Sequence, residues 1–289
     1  MAKLVRAITR DGAVLATALD STDMVGRAEQ IHHSSATVTA AMGRLLTAAS
    51  MMGAALKNDR DTITLRIAGG GPAGSVIAVS DAFGNARVTV GNPLADLPLN
   101  EKGKLDVGGV IGRDGYLSVV RDSGTGEPQT GYSPIVSGEI GEDLTYFFAN
   151  SEQIPTVCAL GVLVAPDLTA AAAGGYLLQL LPGADEETIT QIEKNLPGLA
   201  PVSTMVHDGI SPLGMLQQAL SGFELEVIEE REVFYRCDCS RERVERVLLS
   251  LGREELEKLA REQEITEVAC HFCEKRYTFT QEQLRALLS

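Results

Sequence analysis

Residues 236–279 read RCDCSRERVERVLLSLGREELEKLAREQEITEVACHFCEKRYTF. Four of the chain's five cysteines fall here, as the close pairs Cys237-Asp238-Cys239 and Cys270-His271-Phe272-Cys273. Two such pairs supply four thiolates, the donor set of a tetrahedral all-sulfur site, so one zinc per chain is expected on Cys237, Cys239, Cys270 and Cys273. His271 is left outside because four sulfurs already close the coordination shell. Between the pairs, Ser240 is a candidate N-cap, followed by a helical stripe of Val244, Val247, Leu248 and Leu251. After Gly252, Leu256, Leu259 and Ala260 form a second stripe. Thr280 and Gln283 have capping-box spacing and predict a last short helix. A module with so few large apolar side chains is marginal by itself, whereas structural zinc contributes about 10 to 16 kcal/mol in small zinc peptides.

Outward from this module the charge density changes. Residues 232–289 hold 12 acidic and 10 basic side chains, while the whole chain of 289 residues carries a formal charge of -14. Most of the negative charge therefore lies upstream, and the break predicts a boundary near Glu230. Upstream of it, short apolar runs alternate with turn signals at Arg10-Asp11-Gly12, Phe83-Gly84-Asn85 and Arg113-Asp114-Gly115, read as hairpins. Residues 34–57 place Val38, Met42, Leu45, Ala49, Met52 and Leu56 at helical spacing behind Ser34 or Ser35, which predicts one long helix whose methionines pack in a core. The apolar run over 157–181 is interrupted by Pro166-Asp167 and Gly174-Gly175, and reads as two buried strands rather than a membrane span.

Residues 182–231 have another character. Asp185 to Leu196 begins with acidic residues, and Ile189, Ile192 and Leu196 form an apolar edge. Pro197, Pro201 and Pro212 then interrupt the chain, and Leu213, Leu216 and Leu220 mark a second short helix. Such helices cannot bury their apolar faces without docking onto a neighbour, so this linker has low intrinsic stability. The expected architecture is α+β: a strand-rich domain with a long helix over 1–181, a helical linker over 182–231, and a zinc domain over 232–289.

Several functions are disfavoured by composition. The negative charge argues against nucleic-acid and anionic-membrane partners, and the first residues do not read as a signal peptide, so a cytoplasmic location is expected. In that reducing compartment close cysteine pairs are metal ligands or redox groups rather than structural disulfides. Gly69 to Gly74, GGGPAG, fits G-x-G-x-x-G, but the strand-like SVIAVSDAF after it and the missing Lys and Ser/Thr exclude a dinucleotide or ATP loop. Cys158 reads as a core residue, and His32-His33 as a surface or capping pair. No nucleophile-base pair assembles, so an enzyme is not expected.

Zinc-bound thiolates are the form that reacts with peroxide, and each pair holds its own resolving partner. Spacing alone leaves open a purely structural site and a redox switch. It also leaves a zinc-ribbon nucleic-acid module, kept alive by Arg241, Arg243 and Arg246, and a thiol-disulfide oxidoreductase using CHFC.

The strings RCDCSRERVERVLLSLGREELEKL and EVACHFCEKRYTF closely resemble the redox-regulated thirty-three-kilodalton heat-shock protein, or 33 kDa chaperonin, family. The likeness extends upstream through TAAMGRLLTAASMMGAALK, GGGPAG, VGNP, GYSPIVSGEIGEDLTYFFANSEQIPT and LGVLVAP with AAGGYLLQLLPGA, and so covers nearly the whole chain. The resemblance implies a stress-response chaperone that is nearly inactive as a reduced, zinc-loaded monomer. On oxidation it would lose zinc, form Cys237-Cys239 and Cys270-Cys273 disulfides, loosen its linker, and hold unfolding client proteins as a homodimer without ATP.

Overall fold

The computed structural model describes residues 1–288; Ser289, the last residue of the expected zinc domain, lies outside them. Two compact units are present, Met1–Arg236 and Cys237–Ser289.

In the first unit, β1 (Ala2–Thr9) and β2 (Val14–Asp20) form a hairpin closed at the expected turn, where Gly12 takes φ +71° and the Ala13 N–H donates to Asp11 Oδ1 at 3.0 Å. Then come α1 (Thr22–His32), which the sequence patterns did not indicate, and α2 (Ala36–Gly53), the expected long helix trimmed at both ends. Left-handed His33 separates them, and the Val38 N–H donates to the cap Ser35 Oγ at 3.2 Å. A meander of β3 (Thr62–Gly70), β4 (Val76–Asp81) and β5 (Ala86–Val90) follows. Its second turn is the expected Phe83-Gly84-Asn85, with Asp81 Oδ1 accepting from the N–H groups of Phe83 and Asn85, both at 2.9 Å.

The third expected hairpin is absent. Residues 105–111 do not form a strand but lead into α3 (Val107–Ile111), capped by Asp106, and Arg113-Asp114-Gly115 lie inside β6 (Gly112–Asp122). Ala68 of β3 pairs with Tyr116 and Gly69 with Gly112, so the three turn-like residues are extruded as a bulge. The glycines of GGGPAG serve that same crossing: a Cβ on Gly69 would meet the Gly112 carbonyl oxygen at 2.2 Å. The unit continues through β7 (Gln129–Pro134), α4 (Gly141–Phe147), β8 (Thr156–Val164) and β9 (Ala170–Leu180). The last two are the expected strand pair; Gly174 and Gly175 do not interrupt β9 but pair with Gly161 and Leu160 of β8.

Residues 182–231 supply α5 (Glu186–Asn195), α6 (Val202–His207), α7 (Pro212–Ala219) and most of β10 (Leu225–Val233). The strand was not anticipated. It pairs antiparallel with β1 at the edge of a five-stranded sheet ordered β10-β1-β2-β9-β8, while the second sheet runs β5-β4-β3-β6-β7. Helix α2 packs against strands of both sheets, and its apolar residues join Leu4, Leu19 and Leu177 of the first and Leu65, Ile67 and Val119 of the second in the main core. Alternate residues of those first-sheet strands, Val5, Ala7, Ala16, Ala18, Tyr176 and Leu178, point into a second core roofed by α5–α7 through Ile192, Met205, Met215 and Leu216. The first sheet is thus buried on both faces, and the linker helices dock on it.

The boundary between units falls a few residues beyond the break in charge density. Residues 234–236 stay with the first unit because the Ala86 N–H donates to Phe234 O, and the Arg236 N–H to Ala86 O, both at 3.0 Å. The second unit contains α8 (Arg241–Ser250), α9 (Arg253–Glu262), the hairpin β11 (Ile265–Ala269) and β12 (Arg276–Thr280), and α10 (Gln281–Ala286). Ser240 and Thr280 cap α8 and α10 as expected. Of the α8 stripe only Val244 and Leu248 are buried; Val247 and Leu251 are exposed. Val244 and Leu248 join Leu256, Ala260, Tyr277, Phe279 and Leu284 in a small core.

No helix among the described residues is long and apolar enough to cross a membrane. Leu216 is fully buried in the roof of the second core. Leu216→Ala should destabilise that roof by about 2 to 5 kcal/mol. Hydrogen exchange should then show protection lost in α5–α7 before α2; equal loss in α2 would contradict the two-core description.

Candidate metal centre

Both cysteine pairs sit on short structured segments of the second unit. Cys237 and Cys239 lie in the irregular stretch leading to α8. Cys270 and Cys273 form the turn between β11 and β12. There the Cys270 N–H donates to Lys275 O at 2.9 Å and the Glu274 N–H to Cys270 O at 2.8 Å, with Glu274 in the left-handed region at φ +57°.

These segments bring the four sulfurs within 4.8 Å of one another, the one such group of potential metal ligands among the described residues. Cys237 Sγ lies 3.7 Å from Cys270 Sγ, and Cys239 Sγ 3.4 Å from Cys273 Sγ. A tetrahedral site with metal–sulfur bonds of about 2.3 Å has sulfur–sulfur edges of about 3.8 Å, close to both of these separations, so the donor set and its spacing suit a zinc-sized ion. His271 is not part of the group. Cys158 is elsewhere, on β8 of the first unit, partly buried against the main core, where desolvation pushes its thiol up to about 12. His32 is buried with Nε2 2.9 Å from Val88 O, and His33 ends α1, so neither belongs to a reactive site.

The four thiols are not equivalent. Burial raises the Cys237 pKa, although the Cys239 N–H works in the other direction, and burial likewise raises that of Cys273 against a hydrogen bond from the Lys275 N–H. For Cys239 burial also opposes ionisation but is outweighed by donors, first the Tyr277 hydroxyl, and its pKa is lowered. Tyr277 donates to Cys239 Sγ at 3.2 Å, and that bond raises the phenol's own pKa. Sequence reasoning missed this tyrosine, although the alternation in RYTFT, which places Tyr277 and Phe279 on one face, carried the signal.

Arg241 was missed too as a structural residue. Its guanidinium lies 4.2 Å from the Phe279 ring centroid, donates to Thr278 O at 3.0 Å and Gln283 Oε1 at 3.1 Å, and pairs with Glu245 at 3.2 Å. Arg243 pairs with Asp238, the residue between the first two cysteines, at 2.5 Å. Two of the three arginines that favoured a nucleic-acid module are thus engaged inside their own unit.

Fold and site together define a two-unit α+β protein ending in a small module whose four cysteines can hold a tetrahedral metal ion. The family model described as Hsp33 protein matches residues 2–280. The chain is 46% identical over 285 residues to a 33 kDa chaperonin of Bacillus cytotoxicus, covering 99% of this chain and 98% of that one. It is also 46% identical over 284 residues to a 33 kDa chaperonin of Geobacillus sp., covering 98% and 96%. The crystal structure of the 33 kDa chaperonin from Thermotoga maritima superposes with a TM-score of 0.90 at 38% identity, over 99% of this chain and 97% of the other. The chain belongs to the Hsp33 family.

Because Cys237 and Cys273 have raised pKa values, both carry protons near neutrality in the metal-free chain, and metal binding must displace them. Affinity for zinc should therefore rise with pH, by about tenfold per unit for each proton displaced. Chelator competition between pH 6.5 and 8.0, values chosen to span roughly neutral conditions, checks this; a pH-independent constant would show that the ligands are not these thiols.

Proposed function

We propose that the chain is a redox-regulated, ATP-independent holdase chaperone rather than an enzyme. Cys237, Cys239, Cys270 and Cys273 bind one zinc per chain in the reduced, inactive state. Formation of Cys237-Cys239 and Cys270-Cys273 disulfides releases it. The observation that carries this reading is the group of four half-buried sulfurs in a module whose own core contains seven buried apolar residues. Zinc supplies a tetrahedral crosslink there when bound. Without it the α8–α10 core has to hold the two cysteine segments by packing alone, against a stability of about 5 to 15 kcal/mol for an ordinary domain.

The client surface in this reading is the second core. Helices α5–α7 are short, interrupted by prolines, and ordered by the sheet face that they cover. Order lost from Cys237 onward passes back along the chain into β10 and these helices, exposing Val5, Ala7, Tyr176 and Leu178 together with the helices' own apolar edges. Unfolding proteins bind there, the active form is a homodimer, and the setting is the cytoplasm under oxidative stress. The names of the 33 kDa chaperonin relatives support the chaperone part of this reading.

The two rival readings have less support. A thioredoxin-like CxxC stands between a strand and a helix, whereas Cys270 and Cys273 sit in a β-hairpin turn. A nucleic-acid module would draw on arginines that here make internal contacts. ATP dependence is disfavoured because the glycine-rich GGGPAG lacks the Lys and Ser/Thr of a phosphate-binding loop, and its Gly69 and Gly71 are packed against the 110–112 backbone.

Light scattering of a thermally unfolding client tests the proposal. The oxidised, zinc-free protein should suppress aggregation with and without ATP, and the reduced, zinc-bound protein should do so poorly. Equal protection by both forms would sink the switch. Hydrogen exchange after peroxide with mild heat should lose protection first over 237–288, then over β10 and α5–α7, and last in α2. Uniform loss would contradict the order of events.

A further inference from the structure

Cys239 is the one cysteine of the four with a side-chain hydroxyl donating to its sulfur among the described residues. The donor, Tyr277 Oη, lies 3.2 Å from Cys239 Sγ, and Tyr277 is held in place from several sides. It is 7% exposed and belongs to the small core of the second unit. Its strand is registered against β11, with Val268 opposite Tyr277, and Lys275 Nζ lies 5.2 Å from the ring centroid. A phenol held this firmly and aimed at one sulfur is placed to orient that sulfur, because the hydroxyl of a tyrosine packed in a core is directed to a specific hydrogen-bond partner.

We propose that Tyr277 is a positioning residue for the metal centre: its hydroxyl fixes Cys239 as a metal ligand and restrains that sulfur from attacking peroxide. The inference rests on the zinc reading given above. Two effects follow from one hydrogen bond. Donation to a ligand thiolate orients it and stabilises the anionic ligand set, so metal affinity depends on the phenol. The same donation withdraws electron density from the sulfur lone pair, the pair that attacks an oxidant. In that attack the Cys239 thiolate takes one oxygen of hydrogen peroxide, the O–O bond breaks, and hydroxide leaves with Cys239 as sulfenic acid. The Cys237 thiolate then displaces the sulfenic hydroxyl as a second hydroxide, so two electrons have passed to peroxide and one disulfide has formed.

The test uses full-length reduced protein as wild type, Tyr277→Phe, and Phe279→Leu as a control that alters the same core without reaching a sulfur. Tyr277→Phe keeps the ring and removes only the donor. It should weaken zinc about 10- to 100-fold in chelator competition, and it should release zinc to peroxide several-fold faster than wild type. In cobalt-substituted protein, loss of the hydrogen bond raises the energy of the sulfur lone pair. The sulfur-to-cobalt charge-transfer band should therefore move to longer wavelength in Tyr277→Phe and stay in place in Phe279→Leu. Unchanged affinity and an unchanged band in Tyr277→Phe would overturn the inference, as would a Phe279→Leu variant that reproduced both effects. A wild-type chain that bound no zinc would instead overturn the site itself, and the role of Tyr277 with it.

Discussion

Four sulfurs from two stretches of chain, separated by α8, α9 and β11, have to meet within 4.8 Å of one another. A tight β-hairpin turn fixes one pair and the cap of α8 fixes the end of the segment bearing the other, but each arrangement is local and neither joins the two. What joins them is a modest set of contacts. Val244 and Leu248 of α8 pack in one core with Tyr277 and Phe279 of β12, and Arg241 stacks on Phe279 while bonding to Thr278 O. A small core of this kind leaves little margin once chain entropy is charged against it, which is what the proposed switch at the sulfurs would exploit.

The first unit solves the opposite problem. Its first sheet alternates side chains into two cores, and the main core, with α2 against both sheets, does not involve α5–α7. Removing the roof would expose Tyr176 and Leu178 yet leave Leu4, Leu19 and Leu177 packed under α2. A sheet built this way can uncover one apolar face while the other keeps its strands in register. That is what the proposed client surface requires, an apolar face that can be uncovered on a sheet that stays folded, and strand alternation supplies it.

How much of this was legible in the sequence depended on whether the signal was local. The cysteine pairs, the caps Ser240 and Thr280, a first cap narrowed to Ser34 or Ser35, and the Arg10-Asp11-Gly12 and Phe83-Gly84-Asn85 turns were readable because each is completed within a few residues. By contrast, β10 hides in LEVIEEREV, an edge strand whose glutamates mask its alternation, and only its register with β1 makes it a strand. Arg113-Asp114-Gly115 has turn chemistry but is spent on a bulge, since α3 occupies the place of the second strand. The Asp143 carboxylate is fully buried and accepts backbone N–H groups of Val136, Ser137, Gly138 and Ile140. It therefore holds together a loop that no pattern of residue types announces. Tyr277 belongs with these cases, because its partner Cys239 is brought to it by the fold.

The fifth cysteine lies where reactivity is disfavoured. Cys158 sits on β8 against the main core, and desolvation there disfavours the thiolate, the only form that would attack an oxidant at a useful rate. A sulfur that reacted in that position would disturb the core on which the first sheet depends. In the second unit the sulfurs are partly exposed, the Tyr277 hydroxyl helps lower the pKa of Cys239 although burial raises that of Cys237, and the small core beside them is separate from the main core around α2. In the proposed switch, the reacting cysteines are thereby kept out of the main core that α2 forms with the two large sheets.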